Sequence, residues 1–284
     1  MKDLILGCFT GYDWSTVQYW ANSIEICGFR GDRAVMVYDT DTPTLDRLKA
    51  LGFNVYLFDP IEISVGFAYT FSFQDNYAHR FQVYYEYLSN LENFDEYRYV
   101  IATDVRDVVF QSDPSIWLEA NLDDKQICAS CESLRYRDEP WGNASMGNAY
   151  PRLYARMASR PIWNCGVQAG DIGVMKDFWL QLAMTCAAGL EAADQAAYNI
   201  LLSLRPWCDI TRFTMSEDGW ACQAGTTAWP EKITYFGPLL LEPAPVWDGA
   251  FVCTSTGKRH VILHQYDRVP QWLETVQRRY RSSF

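Results

Sequence analysis

The sequence is short of cations. Its 24 lysines and arginines face 35 aspartates and glutamates, for a formal net charge of −11. A nucleic-acid binder needs a basic stripe to meet phosphates, so that class is excluded, although a local arginine or a metal can still hold one small anion. Charged residues make up only 21% of the chain and hydrophobic residues 49%, which argues against extended disorder. Long apolar runs are missing too. The most apolar helical stretch, 178–190, falls short of the ~20 residues that span a bilayer. Met1-Lys2-Asp3 leads straight into Leu4-Ile5-Leu6-Gly7, which lacks the apolar core of a secretory signal. There are no internal repeats, no low-complexity linker, and only three histidines, His79, His260 and His264.

Cysteines are present, but in no disulfide pattern. Their number is odd, nine, and most lie in apolar segments, as expected of reduced thiols in a soluble, cytoplasmic protein. Cys128-Ala129-Ser130-Cys131 has redox or zinc spacing, yet no second such pair exists and this one sits in a strand-like run, 126–130. It reads as structural.

What is present is an alternation of strands and helices. Strand-like runs at 4–10, 34–38 and 54–58 are separated by a helix opened by Asp13 and closed by Gly28, and by a short helix starting at Thr42-Pro43. Such units predict a parallel sheet built from right-handed crossovers. Residues 61–75 are aromatic and irregular. A helix over 76–91 leads to a strand at 98–103, a short strand at 108–110, a helix at 114–120 and a strand at 126–130. Residues 132–150 show no period and read as a long loop. A helix at 151–159 precedes a Gly-flanked strand at 165–171, where backbone can approach a ligand closely, and then helices at 176–188 and 193–204. The tail, 206–269, reads as β-rich, with a hairpin of 251–254 and 260–265 across Ser255-Thr256-Gly257-Lys258. The C-terminal helix, 270–281, carries Arg278, Arg279 and Arg281. Those cations either complement the helix dipole or offer peripheral contact with an anionic membrane.

The chemistry gathers where the strand at 98–103 ends, in Thr103-Asp104-Val105-Arg106-Asp107. Ligands of open α/β sheets bind beyond the carboxyl ends of the strands, and two carboxylates there suit a hard divalent cation. If the segment stays extended, Asp104 and Arg106 share a face and Asp107 points away; if it turns at Val105, the two aspartates converge. In the extended case, Arg106 itself neutralises an anion as a fork of donors.

The order of elements and five segments are similar to the GT-A glycosyltransferases. Asp104-Val105-Arg106-Asp107 resembles their DxD motif, with one residue more between the acids. His79-Arg80-Phe81 through Leu88 resembles the preceding helix. Asn164-Cys165-Gly166 resembles their strand along the donor sugar, and Asp194-Gln195 through Asn199 a later helix. His264-Gln265-Tyr266-Asp267-Arg268 resembles a late segment whose histidine completes the metal shell in some members.

The resemblance implies one α/β domain over 1–284: a Rossmann-like, mixed but mostly parallel sheet flanked by helices, with a β-rich C-terminal part. Residues 1–113 would form the nucleotide-binding half, and 114–284 the acceptor-binding half with a metal-completing segment. It also implies metal-dependent sugar transfer from a nucleoside diphosphate-sugar, a UDP-sugar being favoured, to a glycan or glycolipid acceptor, as in polysaccharide biosynthesis. Asp104, Asp107 and His264 would hold Mn²⁺ or Mg²⁺. Arg80, Asp104, Arg106, Asn164 and Gly166 would meet the diphosphate and donor sugar. Thr10 and Tyr12, after the first strand, and Asp39, after the second, are placed to meet the nucleoside, Tyr12 by stacking. Asp171 and Asp194 are the candidate catalytic carboxylates beside the reacting carbon. Two other enzyme classes compete. A sugar-nucleotide pyrophosphorylase needs a Gly- and Arg-rich loop after the first strand, which Cys8-Phe9-Thr10-Gly11-Tyr12-Asp13 is not. A phosphohydrolase with a strand-end aspartate nucleophile needs an acid where Arg106 stands.

Overall fold

The computed structural model describes residues 1–58, 78–190 and 193–282. The aromatic stretch 61–75 singled out above lies outside them. Twelve strands are found among the described residues: β1 (Lys2–Thr10), β2 (Asp32–Tyr38), β3 (Phe53–Leu57), β4 (Tyr97–Thr103), β5 (Val108–Phe110), β6 (Ile127–Arg135), β7 (Pro161–Asp171), β8 (Thr211–Thr214), β9 (Ala221–Gln223), β10 (Val246–Trp247), β11 (Val252–Cys253) and β12 (Ile262–His264). The main sheet runs β3-β2-β1-β4-β7-β6-β8. Pairings are parallel except those of β7, which is antiparallel to both β4 and β6. The sheet is therefore mixed and mostly parallel, as expected.

Period-two alternation explains how both faces are buried. Leu4, Leu6, Met36, Val100 and Ala102 point to one face, where they meet Phe81, Tyr84, Phe178, Trp179 and Tyr198 of the helices His79–Ser89, Ile172–Ala187 and Asp194–Leu202. Ile5, Val35, Val37 and Ile101 point to the other, against Val17, Trp20 and Ile24 of the helix Trp14–Ile26. Burying each such aliphatic or aromatic side chain is worth roughly 1.5–3 kcal/mol. Helix starts are capped as their sequences suggest: Asp13 accepts from the Thr16 amide, Asp41 from that of Thr44, and Asp113, before Pro114, from that of Ser115.

The second half departs from the sequence expectation in three places. Residues 132–150 are not a loop. β6 runs on to Arg135 through irregular pairing, with Ser133 in the left-handed region at φ 60°, and a helix follows at Pro140–Ala149. That helix contains poor helix formers and shows no amphipathic period; tertiary packing holds it, through Met146 and Ala149 against the helix Asp194–Leu202. The tail is not β-rich either: its strands are two to four residues long and alternate with the helices Trp207–Ile210, Ala224–Thr227 and Pro230–Phe236. The anticipated hairpin is present but cut short: the amide of Thr254 donates to the Lys258 carbonyl at 2.8 Å and that of His260 to the Val252 carbonyl at 3.1 Å, with Cys253 bridged antiparallel to Arg259. Past that short pairing, β12 runs antiparallel to β5 and parallel to β9, where Ile262 and Leu263 find apolar partners. No helix among the described residues is long and apolar enough to cross a membrane.

Gly7 shows how tightly β1 meets its neighbours. A Cβ there would lie 2.7 Å from both the Trp20 ring and the Val105 side chain. Gly7→Ala should therefore lower stability by about 1–3 kcal/mol, as overpacking of a core does, read from urea unfolding followed by tryptophan fluorescence; an unchanged midpoint would show that the contact yields freely.

Candidate active site and metal centre

The site is built at the end of β4. Thr103, its last residue, accepts a hydrogen bond from the indole of Trp20 at 2.8 Å, and the amide of Asp104 donates to the Gly166 carbonyl at 2.8 Å. The chain then bends through Val105, Arg106 and Asp107 before β5 begins. Val105 turns inward and is buried. Of the two arrangements open to the sequence, the turned one is observed.

The pairing of β5 with β12 sets His264 opposite Val108, one residue from Asp107. Its Nε2 lies 3.4 Å from Asp104 Oδ2 and 3.6 Å from Asp107 Oδ1. One ligand atom from each of Asp104, Asp107 and His264 can be chosen so that all lie within 4.8 Å of one another. On the far side of the ring, Nδ1 meets Gln223 Oε1 at 2.7 Å, and Gln223 Nε2 in turn donates to Ser130 Oγ at 3.0 Å. An amide oxygen only accepts, so Nδ1 carries the proton and Nε2 faces the carboxylates with its lone pair whenever the ring is neutral. Gly166 keeps the centre open, since a Cβ there would stand 2.6 Å from both Asp104 Oδ2 and His264 Cε1. Two hard carboxylates and one imidazole suit Mn²⁺ or Mg²⁺ better than Ca²⁺. The donor set fits such an ion.

Electrostatics agree with that fit. Burial works against the charge of Asp104, but Arg80 and His264 outweigh it and hold this carboxyl well below its usual range. Burial likewise opposes a charge on His264, yet Asp107 and Asp104 push its pKa up to about 10. Arg80 donates from Nη1 to Asp104 Oδ1 at 2.6 Å and from Nη2 to Asp194 Oδ2 at 3.0 Å. Asp194 is driven upward by its burial against that pull. Arg106 sits 3.3 Å from Asp107 and 3.5 Å from Asp267.

A cavity of about 660 Å³ opens in front of these groups. Thr10, Tyr12 and Asp39 line one part of it, and Arg80, Asp104, Arg106 and Asp107 another. Its volume is in the range that holds a drug-sized or cofactor-sized ligand. Asn164 lies behind, its side chain accepting from the Gly166 amide and donating to Glu132, each at 2.8 Å. Asp171 is the exception among the residues singled out. It pairs with Tyr99 in the register, five residues beyond Gly166 and hence about 16 Å along β7 from the metal centre. There its carboxylate accepts from the amides of Gly173 and Val174 and starts a helix. The structure does not bring it to the site.

Three further residues support these groups. Glu132 is buried beside Asn164; a lone acid in the otherwise apolar run 127–134 was its only signal. Gln195 accepts from the Cys165 amide at 3.3 Å, adjacent to Asp194. Gln223, which orients His264, has no sequence signal at all, since the pairing of β9 with β12 alone brings it there.

No protein-family model matches the chain, and no curated protein matches it in sequence. Solved structures do. Mouse xyloside xylosyltransferase 1, in its apo form, superposes with a TM-score of 0.53 at 12% identity, over 94% of this chain and 99% of that one. An active-site mutant of LgtC gives 0.51 at 13% identity, over 92% of this chain and 86% of that one; LgtC is a galactosyltransferase. The chain thus has the GT-A glycosyltransferase fold.

Two measurements follow from this geometry. Gln223→Leu should weaken Mn²⁺ binding about 10–100-fold with the fold intact, as loss of a partner behind a ligand does, read by metal titration; unaltered binding would remove Gln223 from the centre. Burial pushes the Glu132 carboxyl up to about 7. A carboxyl raised on folding stabilises the fold below its unfolded pKa and loses that contribution as pH rises through about 7. Wild-type stability should therefore fall from pH 5 to 8 relative to Glu132→Gln, by up to about 3 kcal/mol in denaturant titrations. Parallel curves would refute the shift.

Proposed function

We propose that this protein is a metal-dependent glycosyltransferase that moves a sugar from a nucleoside diphosphate-sugar, with a UDP-sugar favoured, to a glycan or glycolipid acceptor. The observation that carries this reading is the convergence of Asp104, Asp107 and His264 at the mouth of a cavity beyond the carboxyl end of β4. Residues 1–113 serve as the nucleotide-binding half, and 114–284 as the acceptor-binding half with the segment that completes the metal shell.

Asp104, Asp107 and His264 hold Mn²⁺ or Mg²⁺, which when bound supplies Lewis-acid stabilisation to the departing diphosphate. The chain's own residues do the rest. Thr10 and Tyr12 receive the nucleoside and Asp39 its base or ribose, all three lining the cavity. Arg106 reaches the diphosphate from the cavity wall while pairing with Asp107. Arg80 is held in place by Asp104 and Asp194, which keeps one cation beside the donor in a site where a free guanidinium would otherwise swing. Asn164 and Gly166 shape the strand along the sugar. Asp194, 3.0 Å from Arg80 Nη2, is the carboxylate assigned to the reacting carbon. A cytoplasmic protein with free thiols and a basic C-terminal helix end accords with peripheral work at a membrane; Trp272, Val276 and Tyr280 of that helix are buried, and Arg278 and Arg279 are in its last turn.

Incubation with a panel of nucleoside diphosphate-sugars and Mn²⁺ should release nucleoside diphosphate, chelation should abolish the release, and Asp104→Asn should lower it at least about 100-fold. Absence of release with every donor, together with no donor-induced rise in melting temperature, would sink the reading.

A further inference from the structure

The segment 135–160 has a charge unlike that of the rest of the chain. It holds five arginines, Arg135, Arg137, Arg152, Arg156 and Arg160, against only Asp138 and Glu139, in a protein of net charge −11. Glu139 does not answer these cations: it is buried, and its carboxylate accepts from the amides of Trp141 and Gly142. Asp138 is shared, 4.0 Å from Arg135 and 3.6 Å from Arg137. Arg152, Arg156 and Arg160 have no ion-pair partner among the described residues.

This basic edge lies on the opposite side of the centre from Asp171: Pro161, which faces Arg135, is five residues before Gly166, about 16 Å along β7. Arg135 is three residues beyond Glu132 on β6, about 10 Å along the strand, and lies opposite Pro161. The amide of Tyr136 donates to the Arg160 carbonyl at 3.1 Å and that of Arg137 to the Ala158 carbonyl at 2.9 Å, so both ends of the segment meet. The Tyr136 hydroxyl donates to the Gln195 carbonyl at 3.3 Å, which ties the edge to the helix carrying Asp194. Trp141, in the first turn of the helix Pro140–Ala149, is 60% exposed. Guanidinium groups match carboxylates and phosphates with paired donors, and an exposed indole offers a flat apolar face to a sugar ring. A net charge of −11 repels anions overall, and this edge is one of the cationic stretches that can receive one.

We propose that this edge receives the acceptor, and that the acceptor is an acidic saccharide whose carboxylates or phosphates are met by Arg152, Arg156 and Arg160. This rests on the glycosyl-transfer reading above. Calorimetry with two probe pairs tests it: a glucuronate-containing tetrasaccharide beside its carboxyl-reduced form, and a phosphorylated mannose oligosaccharide beside its dephosphorylated form. At least one acidic probe should bind tenfold or more tightly than its neutral counterpart, and which pair discriminates tells carboxylate from phosphate. The triple variant Arg152→Gln, Arg156→Gln, Arg160→Gln should lose that preference while keeping the neutral affinity and the melting-temperature rise given by UDP with Mn²⁺, which reports an intact fold and donor site. Equal binding within both pairs, or a preference that survives in the triple variant, overturns the proposal. So does binding to vesicles of phosphatidylcholine with phosphatidylglycerol, but not of phosphatidylcholine alone, without saccharide discrimination, which marks a membrane-facing patch. An acidic preference without any response to nucleotide and metal overturns the transfer reading and leaves a saccharide-binding site.

Discussion

Everything at the centre depends on how the Asp104 carboxylate is shared. One oxygen faces Arg80 and the other faces His264. Asp107 and Asp194 add two more carboxylates nearby, and a buried charge without a partner costs several kcal/mol. The arginines and the histidine offset that cost where no ion is bound. The same crowding of negative charge would favour a divalent cation, and Nε2 of His264 faces both Asp104 and Asp107.

The sharing is possible because three distant stretches of chain are brought within ångströms. β4 delivers Asp104 in the middle of the main sheet, β7 supplies the bare backbone of Gly166 against it, and β12 carries His264 in from the small sheet. Two glycines are needed for different reasons. Gly7 lets Trp20 and Val105 close over β1, which fixes the bend, whereas Gly166 leaves room for the carboxylate and the imidazole. Gln223 and Ser130 extend the support behind His264, so the ring's direction is set by β9 and β6.

The two halves differ in their surfaces. The amino-terminal strands end in small and aromatic residues around a cavity, while the carboxyl-terminal half contributes arginines and an exposed tryptophan beyond the ends of β6 and β7. The likeness at 12–13% identity is one of fold, and a fold shared at that level leaves function to be argued from the site.

Local pattern was enough for the first half. Capping aspartates, Gly stops and apolar runs placed β1 to β4 within a few residues, because each element buries a face that its own period announces. The acids of the centre were also legible, since Asp104 and Asp107 flank an abrupt end of an apolar strand. The reach of local pattern ended where packing between distant segments chooses the conformation. Pro140–Ala149 is helical against its propensity because Met146 and Ala149 are buried, and the hairpin at 251–265 is cut short as β12 goes on to apolar partners in β5 and β9. The sequence by itself determined the order of elements through β4 and which residue types could bind a metal. Only the tertiary structure decided that Val105 turns inward so that both aspartates meet His264, and that Asp171, equally acidic, is left capping a helix at the end of β7. The reason is physical: charge and periodicity are properties of a residue and its neighbours, but convergence is set by strand register, which no single segment contains.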